Sequence, residues 1–380
     1  MTGPGGIRAL RIHDRDDLRL DREPAPVARP DEALVDVAFG GVCGSDLHYW
    51  RDGAVGTSVL RAPMILGHEV VGRVAVPAAD GSGPAAGQAV AVHPARSCGH
   101  CQWCLGGQPN LCPETRYLGS AAQFPHTDGG FADQIAVPSA RLIPLPDPLD
   151  LRRASLAEPA GIAWHALDRA EAVGSALADA HVLVVGGGPI GLLVAAVARY
   201  RGAASVTVAD VQDRPLAVAR ELGVAAVHAR DLPDGAELGG SDNSKTQAGP
   251  GSLQSDNSKR QVPDIVVESS GTVPGLGSAI RAARPGGTVV AVGQVPAGDI
   301  AVPASLVVSR ELTLTGSLRL IEIENAVAFL ADPDAVVDPI VSDVFPAGQA
   351  TEAFAVAADP GRSSKVLLDF TDETAGDGNR

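Results

Sequence analysis

The glycine-rich segment between residues 181 and 210 places the strongest constraint on the fold. The apolar run HVLVV leads directly into GGGPIG, a second apolar run follows, and the strand-like segment SVTVAD ends at Asp210. Strand, glycines, helix, strand and terminal acid in this order are typical of a dinucleotide-binding βαβ unit in a parallel sheet. The alternative is a glycine-rich turn without a ligand, which does not account for the terminal acid.

The glycines of this loop have separate expected tasks. Gly186 is expected to allow the tight turn, and Gly188 to let a pyrophosphate approach the backbone at the helix N-terminus. Gly191 is expected to let the helix pack on the strand. Pro189 and Ile190 lie between these glycines and belong to the same predicted cofactor-binding loop.

The acid at the end of the second strand bears on the choice of cofactor. Asp210 is expected to accept hydrogen bonds from the adenosine ribose, where a 2′-phosphate would meet a carboxylate. The sequence therefore favours NAD over NADP. Arg214, four residues on, lies either over the adenine ribose or on a solvated helix face, and the first arrangement keeps NADP use open.

Four cysteines form a compact lobe with the spacing C-x2-C-x2-C-x7-C: Cys98, Cys101, Cys104 and Cys112. Four thiolates this close can surround one zinc ion with no open position, which is the pattern of a structural site. Buried free cysteines or disulfides are the alternatives. His100 lies inside the lobe and is interpreted as a solvent-facing residue.

A second potential metal site combines Cys43 with the adjacent pair His68 and Glu69, 25 residues further on. Thiolate, imidazole and carboxylate are the ligands of a catalytic zinc with one open position. On their own these residues are also compatible with a structural metal or with ordinary core positions. The four-cysteine lobe already fills the structural role and accounts for the remaining cysteines.

The overall composition excludes several classes of partner. The net charge of −15 over 380 residues argues against nucleic acid and anionic membranes, which both require a basic face. No apolar run reaches the 18 or so residues of a membrane span, and the N-terminus lacks an apolar signal core. A cytoplasmic location is expected.

The length predicts two domains, because one ordinary core does not reach 380 residues. Residues 7 to 42 alternate in short apolar runs that predict antiparallel strands. Strands and helices alternate beyond a boundary expected near residue 160. Residues 231 to 262 are polar, carry the pentapeptide SDNSK twice, and predict a flexible surface loop.

The order of four motifs, GVCGSDLHYW, LGHEVVG, the cysteine lobe and GGGPIG, resembles the zinc-dependent medium-chain alcohol and polyol dehydrogenases. The resemblance implies a GroES-like β-barrel catalytic domain with an inserted Rossmann domain. The catalytic domain would comprise residues 1–160 and 319–380, with a structural zinc lobe at 97–113, and the Rossmann domain residues 161–318. It also implies a homotetramer and a small sugar acid or polyol as substrate.

The same resemblance assigns the metal centre. Cys43, His68 and Glu69 match the catalytic zinc ligands of the polyol branch. Glu158 lies where other branches place a third protein ligand, so it is expected to be a ligand or one water molecule away. Capping of the following helix is its alternative role.

The remaining site residues are also assigned by resemblance. Ser45 would take the alcohol proton and His48 would pass it to solvent, or His48 would hydrogen-bond the cofactor ribose. Arg319 would hold substrate oxygens, and its guanidinium suits a carboxylate. Arg116 and Tyr49 are further candidates for this pocket, with packing as the alternative for Tyr49.

Three functions remain open at this point. They are hydride transfer from a sugar acid to NAD, the same reaction on a neutral polyol, and a dinucleotide-binding protein without turnover. The intact set of predicted ligands and proton-transfer residues argues against the third.

Overall fold

The computed structural model describes residues 6–232 and 262–372. The predicted surface loop of residues 231 to 262, including both SDNSK repeats, lies outside the described residues except at its ends.

The described residues form strands and helices in an order that changes character near the middle of the chain. The strands are β1 (Ile7–Asp14), β2 (Asp17–Glu23), β3 (Glu32–Gly41), β4 (Ala54–Val55), β5 (Ser58–Val59), β6 (Met64–Ile65), β7 (Glu69–Val76), β8 (Ala89–Val92), β9 (Ala95–Arg96), β10 (Arg116–Tyr117), β11 (Gln134–Pro138), β12 (Leu142–Pro144), β13 (His181–Val185), β14 (Ser205–Asp210), β15 (Ala225–His228), β16 (Ile265–Glu268), β17 (Thr288–Ala291), β18 (Thr313–Gly316), β19 (Val341–Pro346) and β20 (Lys365–Asp369). The α-helices are α1 (Gly44–Asp52), α2 (Gln102–Leu105), α3 (Leu151–Ala154), α4 (Ala157–Ala172), α5 (Pro189–Tyr200), α6 (Asp213–Glu221), α7 (Val273–Ala282), α8 (Ala304–Ser309), α9 (Glu324–Ala331) and α10 (Ala350–Ala357).

Six strands form one parallel sheet in the order β15-β14-β13-β16-β17-β18. This is the doubly wound order in which the first two crossovers run one way and the next three the other. The predicted parallel sheet is therefore confirmed. Its central strands are buried on both faces, and the carboxyl ends of β13 and β16 meet at the point where the strand order reverses.

Half of the other described strands form a second sheet, with β12-β8-β7-β3-β20-β19 in order and β11 also paired to β3. Strands β3, β7, β8, β11 and β12 pair antiparallel, as the alternating runs near the N-terminus predict. The late strand β20 inserts beside β3, so the C-terminal part of the chain returns to this second sheet. The three-stranded sheet β2-β1-β6 packs nearby through a shared apolar core.

Helix α4 connects the two sheets. It packs against α5 and α9, and it contacts strands of both sheets, including β7 and β17. Small alanines make up much of its buried face, which allows this close approach. The boundary predicted near residue 160 falls inside this helix, and the exact division of the chain stays a prediction.

One element of the second half was not predicted. The segment between β17 and β18 contains the short helix α8, whose six residues are all at least partly exposed. No side chain of α8 is fully buried, so the sequence has no alternation of apolar and polar residues that would predict this helix. Within residues 6–232 and 262–372, no helix is long and apolar enough to cross a membrane.

Candidate active site

The cysteine lobe brings its four thiols together. The sulfur atoms of Cys98, Cys101, Cys104 and Cys112 lie within 4.8 Å of one another, and all are free thiols. The Sγ–Sγ distance is 3.9 Å from Cys98 to Cys104 and 3.6 Å from Cys101 to Cys104. Zinc–sulfur bonds of about 2.3 Å in a tetrahedron require sulfurs about 3.8 Å apart. The donor set and its spacing therefore fit one zinc ion with no open position.

Backbone amides of the lobe favour thiolates. The N–H of Cys98 donates to the Sγ of Cys112 over 3.4 Å, and the N–H of Cys101 donates to the Sγ of Cys98 over 3.3 Å. The hydrogen bond from Cys98 lowers the pKa of Cys112 to about 6. Zinc binds thiolates rather than thiols, so the amide donor to Cys112 favours metal binding at that ligand, whereas burial raises the pKa of Cys104 to about 12.

The second potential metal site forms where α1 begins and β7 begins. Ligand atoms of Cys43, His68 and Glu69 lie within 4.8 Å of one another, with His68 and Glu69 buried. Two remote segments are held together there by Asp46. Its carboxylate accepts the N–H of Cys43 over 2.9 Å and the N–H of Gly67 over 3.3 Å.

Electrostatics at this centre favour positive charge. Burial alone lowers the pKa of His68, but the nearby Cys43 thiol and the carboxylates of Asp46 and Glu158 raise it well above its ordinary value. An environment that attracts a proton to a buried imidazole attracts a metal cation for the same reason. The thiol, imidazole and carboxylate donors thus fit a zinc ion in both chemistry and charge.

A buried lysine, which the sequence did not reveal, also contacts this centre. The Nζ atom of Lys365 on β20 donates to both carboxylate oxygens of Glu69, at 2.7 and 2.6 Å. It also donates to the carbonyl oxygen of Val42 over 3.1 Å. Both oxygens of Glu69 therefore already have a cationic partner within the protein.

Glu158 lies beside this cluster on the first turn of α4. It is buried, and it is not among the ligand atoms that lie within 4.8 Å of one another. The hydroxyl of Tyr117 donates to its Oε1 over 2.5 Å, and the Tyr117 ring contacts the ring of His68 at a centroid distance of 5.7 Å. Burial raises the pKa of Glu158 to about 7, although His68 opposes the shift. Tyr117 is thus a second residue at this site that the prediction missed.

Arg319 also lies beside the ring of Tyr117. Its Cζ atom is 5.7 Å from the centre of the Tyr117 ring, and its Nη1 donates to the carbonyl oxygen of Asn110 over 3.2 Å. Within the described residues it forms no ion pair with an acidic side chain. A half-buried guanidinium beside the cluster therefore keeps most of its donors available for an anion.

The glycine loop has the geometry that dinucleotide binding requires. Gly186 has φ +103°, and a β-carbon there would lie 2.6 Å from the backbone nitrogen of Ser270. A β-carbon at Gly191 would collide with the carbonyl oxygen of Gly186, because the helix packs directly on the loop. Gly188 precedes α5, and no atom lies within 4 Å of a β-carbon built on it. This leaves open space at the helix N-terminus, where a phosphate group can bind. Pro189 and Ile190 begin α5 at the same end.

Asp210 lies at the carboxyl end of β14 and faces the glycine loop. Its carboxylate accepts the N–H of Gly187 over 2.6 Å and the N–H of Gln212 over 2.8 Å. These two bonds fix the carboxylate in position while leaving lone pairs for ribose hydroxyls. Arg214 lies nearby on α6, and its Nε is buried without a hydrogen-bond partner among the described residues.

The remaining candidates lie at different distances from the cluster. Ser45 is half-buried on the first turn of α1, close to Cys43 in sequence. The exposed ring of His48 is 2.9 Å from Asp52 through its Nδ1, one turn along the same helix. Tyr49 is buried in the apolar core, and its hydroxyl accepts the N–H of Ala121 over 2.9 Å. Arg116 donates to the carbonyl oxygen of Pro125 over 2.9 Å. The structure therefore brings neither Tyr49 nor Arg116 into the cluster.

Two family models together cover most of the chain. Residues 29–147 match the alcohol dehydrogenase GroES-like domain, and residues 189–332 match the zinc-binding dehydrogenase domain. Residues 136–230 also match the pyridine nucleotide-disulphide oxidoreductase family. The L-idonate 5-dehydrogenase (NAD(P)(+)) of Escherichia coli strain K12 is 34% identical over 89% of this chain and 91% of its own length. The chain belongs to the zinc-dependent medium-chain alcohol and polyol dehydrogenases.

Other members of this dehydrogenase family are similar along nearly the whole chain. The sorbitol dehydrogenase of Bacillus subtilis strain 168 is 29% identical over 93% of this chain and 94% of its own length. The crystal structure of E. coli L-idonate 5-dehydrogenase has a TM-score of 0.82 and 31% identity over 96% of this chain and 98% of that chain. A zinc-binding dehydrogenase of Sinorhizobium meliloti 1021, crystallised with NADP, has a TM-score of 0.81 and 29% identity over 96% of this chain and 99% of that chain. These dehydrogenases confirm the predicted fold class, a GroES-like domain combined with a Rossmann domain.

Proposed function

We propose that this dehydrogenase transfers a hydride from a secondary alcohol of a sugar acid to NAD, with L-idonate as substrate and 5-keto-D-gluconate as product. The observation that carries the choice of an acid is the guanidinium of Arg319, which lies beside the cluster without an acidic partner among the described residues. A substrate carboxylate would supply that partner. The segments RYLGSAAQFPHTDGGF and GSLRLIEIENAVAFL resemble L-idonate 5-dehydrogenases, and the chain as a whole is 34% identical to the one from Escherichia coli strain K12.

We assign the catalytic zinc to Cys43, His68 and Glu69. A zinc ion held there supplies a Lewis acid that lowers the pKa of an alcohol bound at its open position. The carboxylate of Asp46 accepts hydrogen bonds from the N–H groups of Cys43 and Gly67, which keeps Cys43 and the segment before His68 in place. Glu158 and Tyr117 line the neighbouring space, and their hydrogen bond orients the carboxylate as a ligand or as an acceptor for a water molecule.

Proton removal is assigned to the first turns of α1. Ser45 is half-buried and is assigned to accept a hydrogen bond from the alcohol, which prepares proton transfer. His48 is exposed one turn later, with its Nδ1 2.9 Å from Asp52, and is assigned to pass the proton to solvent. A hydrogen bond from His48 to the cofactor ribose is the alternative role.

Cofactor binding is assigned to the glycine loop of residues 186–191 with Asp210. NAD is the expected cofactor because the ribose site carries a carboxylate. Arg214 keeps NADP use open, since its buried Nε has no hydrogen-bond partner among the described residues and is free to pair with a 2′-phosphate. We further propose a second, structural zinc in the cysteine lobe, a homotetramer, a cytoplasmic location, and no nucleic-acid or membrane partner.

A neutral polyol is the second candidate substrate. The similarity to a sorbitol dehydrogenase favours it, and the same zinc ligands would serve both reactions. The two candidates differ in the expected role of Arg319, because a polyol offers hydroxyl groups but no charge to a guanidinium.

Reduction of NAD and NADP with L-idonate, D-gluconate, sorbitol, xylitol and L-threonine tests this proposal. L-idonate with NAD is expected to give the highest kcat/KM. Arg319→Ala is expected to lower kcat/KM for L-idonate about a hundredfold, and for a polyol by less than about tenfold, because charged hydrogen bonds are the stronger ones.

Arg319→Lys serves as the matched control. It keeps the charge but loses the planar pair of donors. Its kcat/KM for L-idonate should therefore lie between that of the parent and that of Arg319→Ala. Faster turnover of sorbitol than of L-idonate would instead assign the protein to the polyol dehydrogenases. Equal losses on both substrates in Arg319→Ala would exclude a carboxylate contact.

A further inference from the structure

Asn110 connects the cysteine lobe to the substrate side of the cluster. It lies in the 3-10 helix Pro109–Leu111, two residues before Cys112, and its side chain is buried. The side-chain Nδ2 of Asn110 donates to the carbonyl oxygen of Leu318 over 3.0 Å. The main-chain carbonyl oxygen of Asn110 accepts from the Nη1 of Arg319 over 3.2 Å. One residue of the lobe therefore holds both the backbone before Arg319 and the guanidinium itself.

The backbone at Arg319 requires such support. Arg319 has φ +59°, a left-handed conformation that non-glycine residues seldom adopt and that costs on the order of 1 kcal/mol. It follows β18 in an irregular segment, with no strand or helix to fix it. The contacts of Asn110 lie at both ends of this strained residue, on the preceding carbonyl and on the side chain.

The orientation of the Asn110 amide is determined by its neighbours. The carbonyl oxygen of Leu318 can only accept, so the amide nitrogen must face it. The same nitrogen lies 3.5 Å from the Nε2 of His165. Burial lowers the pKa of His165, which favours the neutral ring that can accept there. A flipped amide would place two acceptors against each other.

Helix α4 completes a connected group of polar contacts. His165 lies on the same face of α4 as Glu158, two turns later. Glu158 accepts from Tyr117, and the Tyr117 ring lies against the guanidinium of Arg319. The main-chain carbonyl of Asn110 and the ring of Tyr117 thus contact the Arg319 guanidinium from the protein side, leaving its remaining donors for a ligand.

We propose that Asn110 is a positioning residue that sets the direction of the Arg319 guanidinium, so that the cysteine lobe controls recognition of an anionic substrate. This inference rests on the proposed function, because it assigns a second residue to the same carboxylate contact. The side chain of Asn110 makes its hydrogen bonds outside the lobe, to residues 55 and 208 positions away in sequence. A role confined to stabilising the lobe does not explain bonds directed at the segment that carries Arg319.

Asn110→Ala tests the proposal in the zinc-loaded protein with NADH bound. Calorimetric titration with L-idonate and with sorbitol gives a dissociation constant for each. The loss of one buried hydrogen bond that orients a charged contact should raise the constant for L-idonate about tenfold, and that for sorbitol by less than about twofold. Zinc content should not change. Gln102→Ala, an exposed change in the same lobe, should leave both constants as in the parent.

Equal weakening of both ligands in Asn110→Ala, or no weakening of either, overturns the proposal. Should the alanine variant lose zinc or fail to fold, Asn110→Asp decides, because it keeps the shape of the side chain but cannot donate to Leu318. Selective weakening of L-idonate is expected there too, and its absence overturns the proposal.

A double-mutant cycle separates this inference from the proposed function. In an Arg319→Ala background, Asn110→Ala should weaken L-idonate binding no further, since both changes remove one interaction. If Arg319→Ala itself does not discriminate L-idonate from sorbitol, the proposed function fails. If Arg319→Ala discriminates and Asn110→Ala does not, only the positioning role fails.

Discussion

The ammonium group of Lys365 donates to both carboxylate oxygens of Glu69, at 2.7 and 2.6 Å, with both side chains fully buried. The carboxylate of Glu69 and the thiol of Cys43 raise the pKa of Lys365 although burial alone would lower it. A third hydrogen bond reaches Val42, the residue before Cys43. A lysine from the C-terminal strand thus supports both segments that carry the proposed zinc ligands.

Replacing this lysine should destabilise the fold strongly. In the zinc-free protein, Lys365→Met leaves a buried carboxylate without its cationic partner, which costs about 3–5 kcal/mol in the free energy of unfolding. Urea denaturation monitored by circular dichroism gives this value. The double variant Lys365→Met, Glu69→Gln should recover a large part of the loss, because it removes the uncompensated charge. A loss below about 1 kcal/mol in the single variant would contradict the buried ion pair.

Local patterns predicted the two strands and the glycine loop between them correctly. The strands at His181–Val185 and Ser205–Asp210 have the predicted bounds, and Asp210 lies beside the glycine loop as expected. These features depend on residues close in sequence, where apolar runs, glycines and a terminal acid determine the geometry.

Contacts between remote segments could not be predicted in the same way. Lys365 and Glu69 are 296 residues apart, and they meet only because β20 inserts beside β3. Asn110 and Leu318 are 208 residues apart. A buried lysine and a buried asparagine have no local pattern, because polar residues in such places are explained by a partner elsewhere in the chain. Tyr117 lay within a segment similar to the family, but its hydrogen bond to Glu158 is likewise a tertiary contact.

Zinc content should separate the two metal sites. The parent should contain about two zinc ions per chain, and Cys43→Ser and Cys101→Ser should each contain about one. Atomic emission on dialysed protein measures this. Cys101→Ser should also lower the melting temperature, because a structural metal contributes to folding. Two zinc ions in either serine variant would refute the corresponding ligand set, and Gln102→Ala, an exposed change, provides the control from the lobe.

Two glycines of the nucleotide loop should respond differently to alanine. Gly188→Ala adds a methyl group to open space, so the fold should persist while NADH binding weakens about tenfold through obstruction of the helix N-terminus. Gly191→Ala would collide with the Gly186 carbonyl and lie 2.6 Å from the Oγ of Ser269, costing about 1–3 kcal/mol of stability. Thermal unfolding and NADH fluorescence titration measure both effects. Equal melting temperatures in the two variants would contradict the packing of α5 on the loop.

Glu158 should give the zinc-free protein a pH-dependent stability. Burial raises its pKa from 4.5 to about 7, so the folded state keeps a proton that the unfolded state releases. The protonated carboxyl group makes its full contribution to the free energy of unfolding below pH 4.5. That free energy should fall by about 3 kcal/mol as the pH rises to 7. The comparison is with Glu158→Gln, which cannot titrate, in urea denaturation series from pH 4 to 8 after chelation.

Two further conditions should shift this pH dependence in opposite directions. Tyr117→Phe removes the hydroxyl that stabilises the carboxylate, so the fall in stability should extend to higher pH. Zinc restored to the neighbouring ligands places positive charge near Glu158, which lowers its pKa and should flatten the profile between pH 4.5 and 7. An identical profile in the parent and in Glu158→Gln would show that this carboxyl group has the same pKa in the folded and unfolded states, and so would contradict a pKa raised by burial.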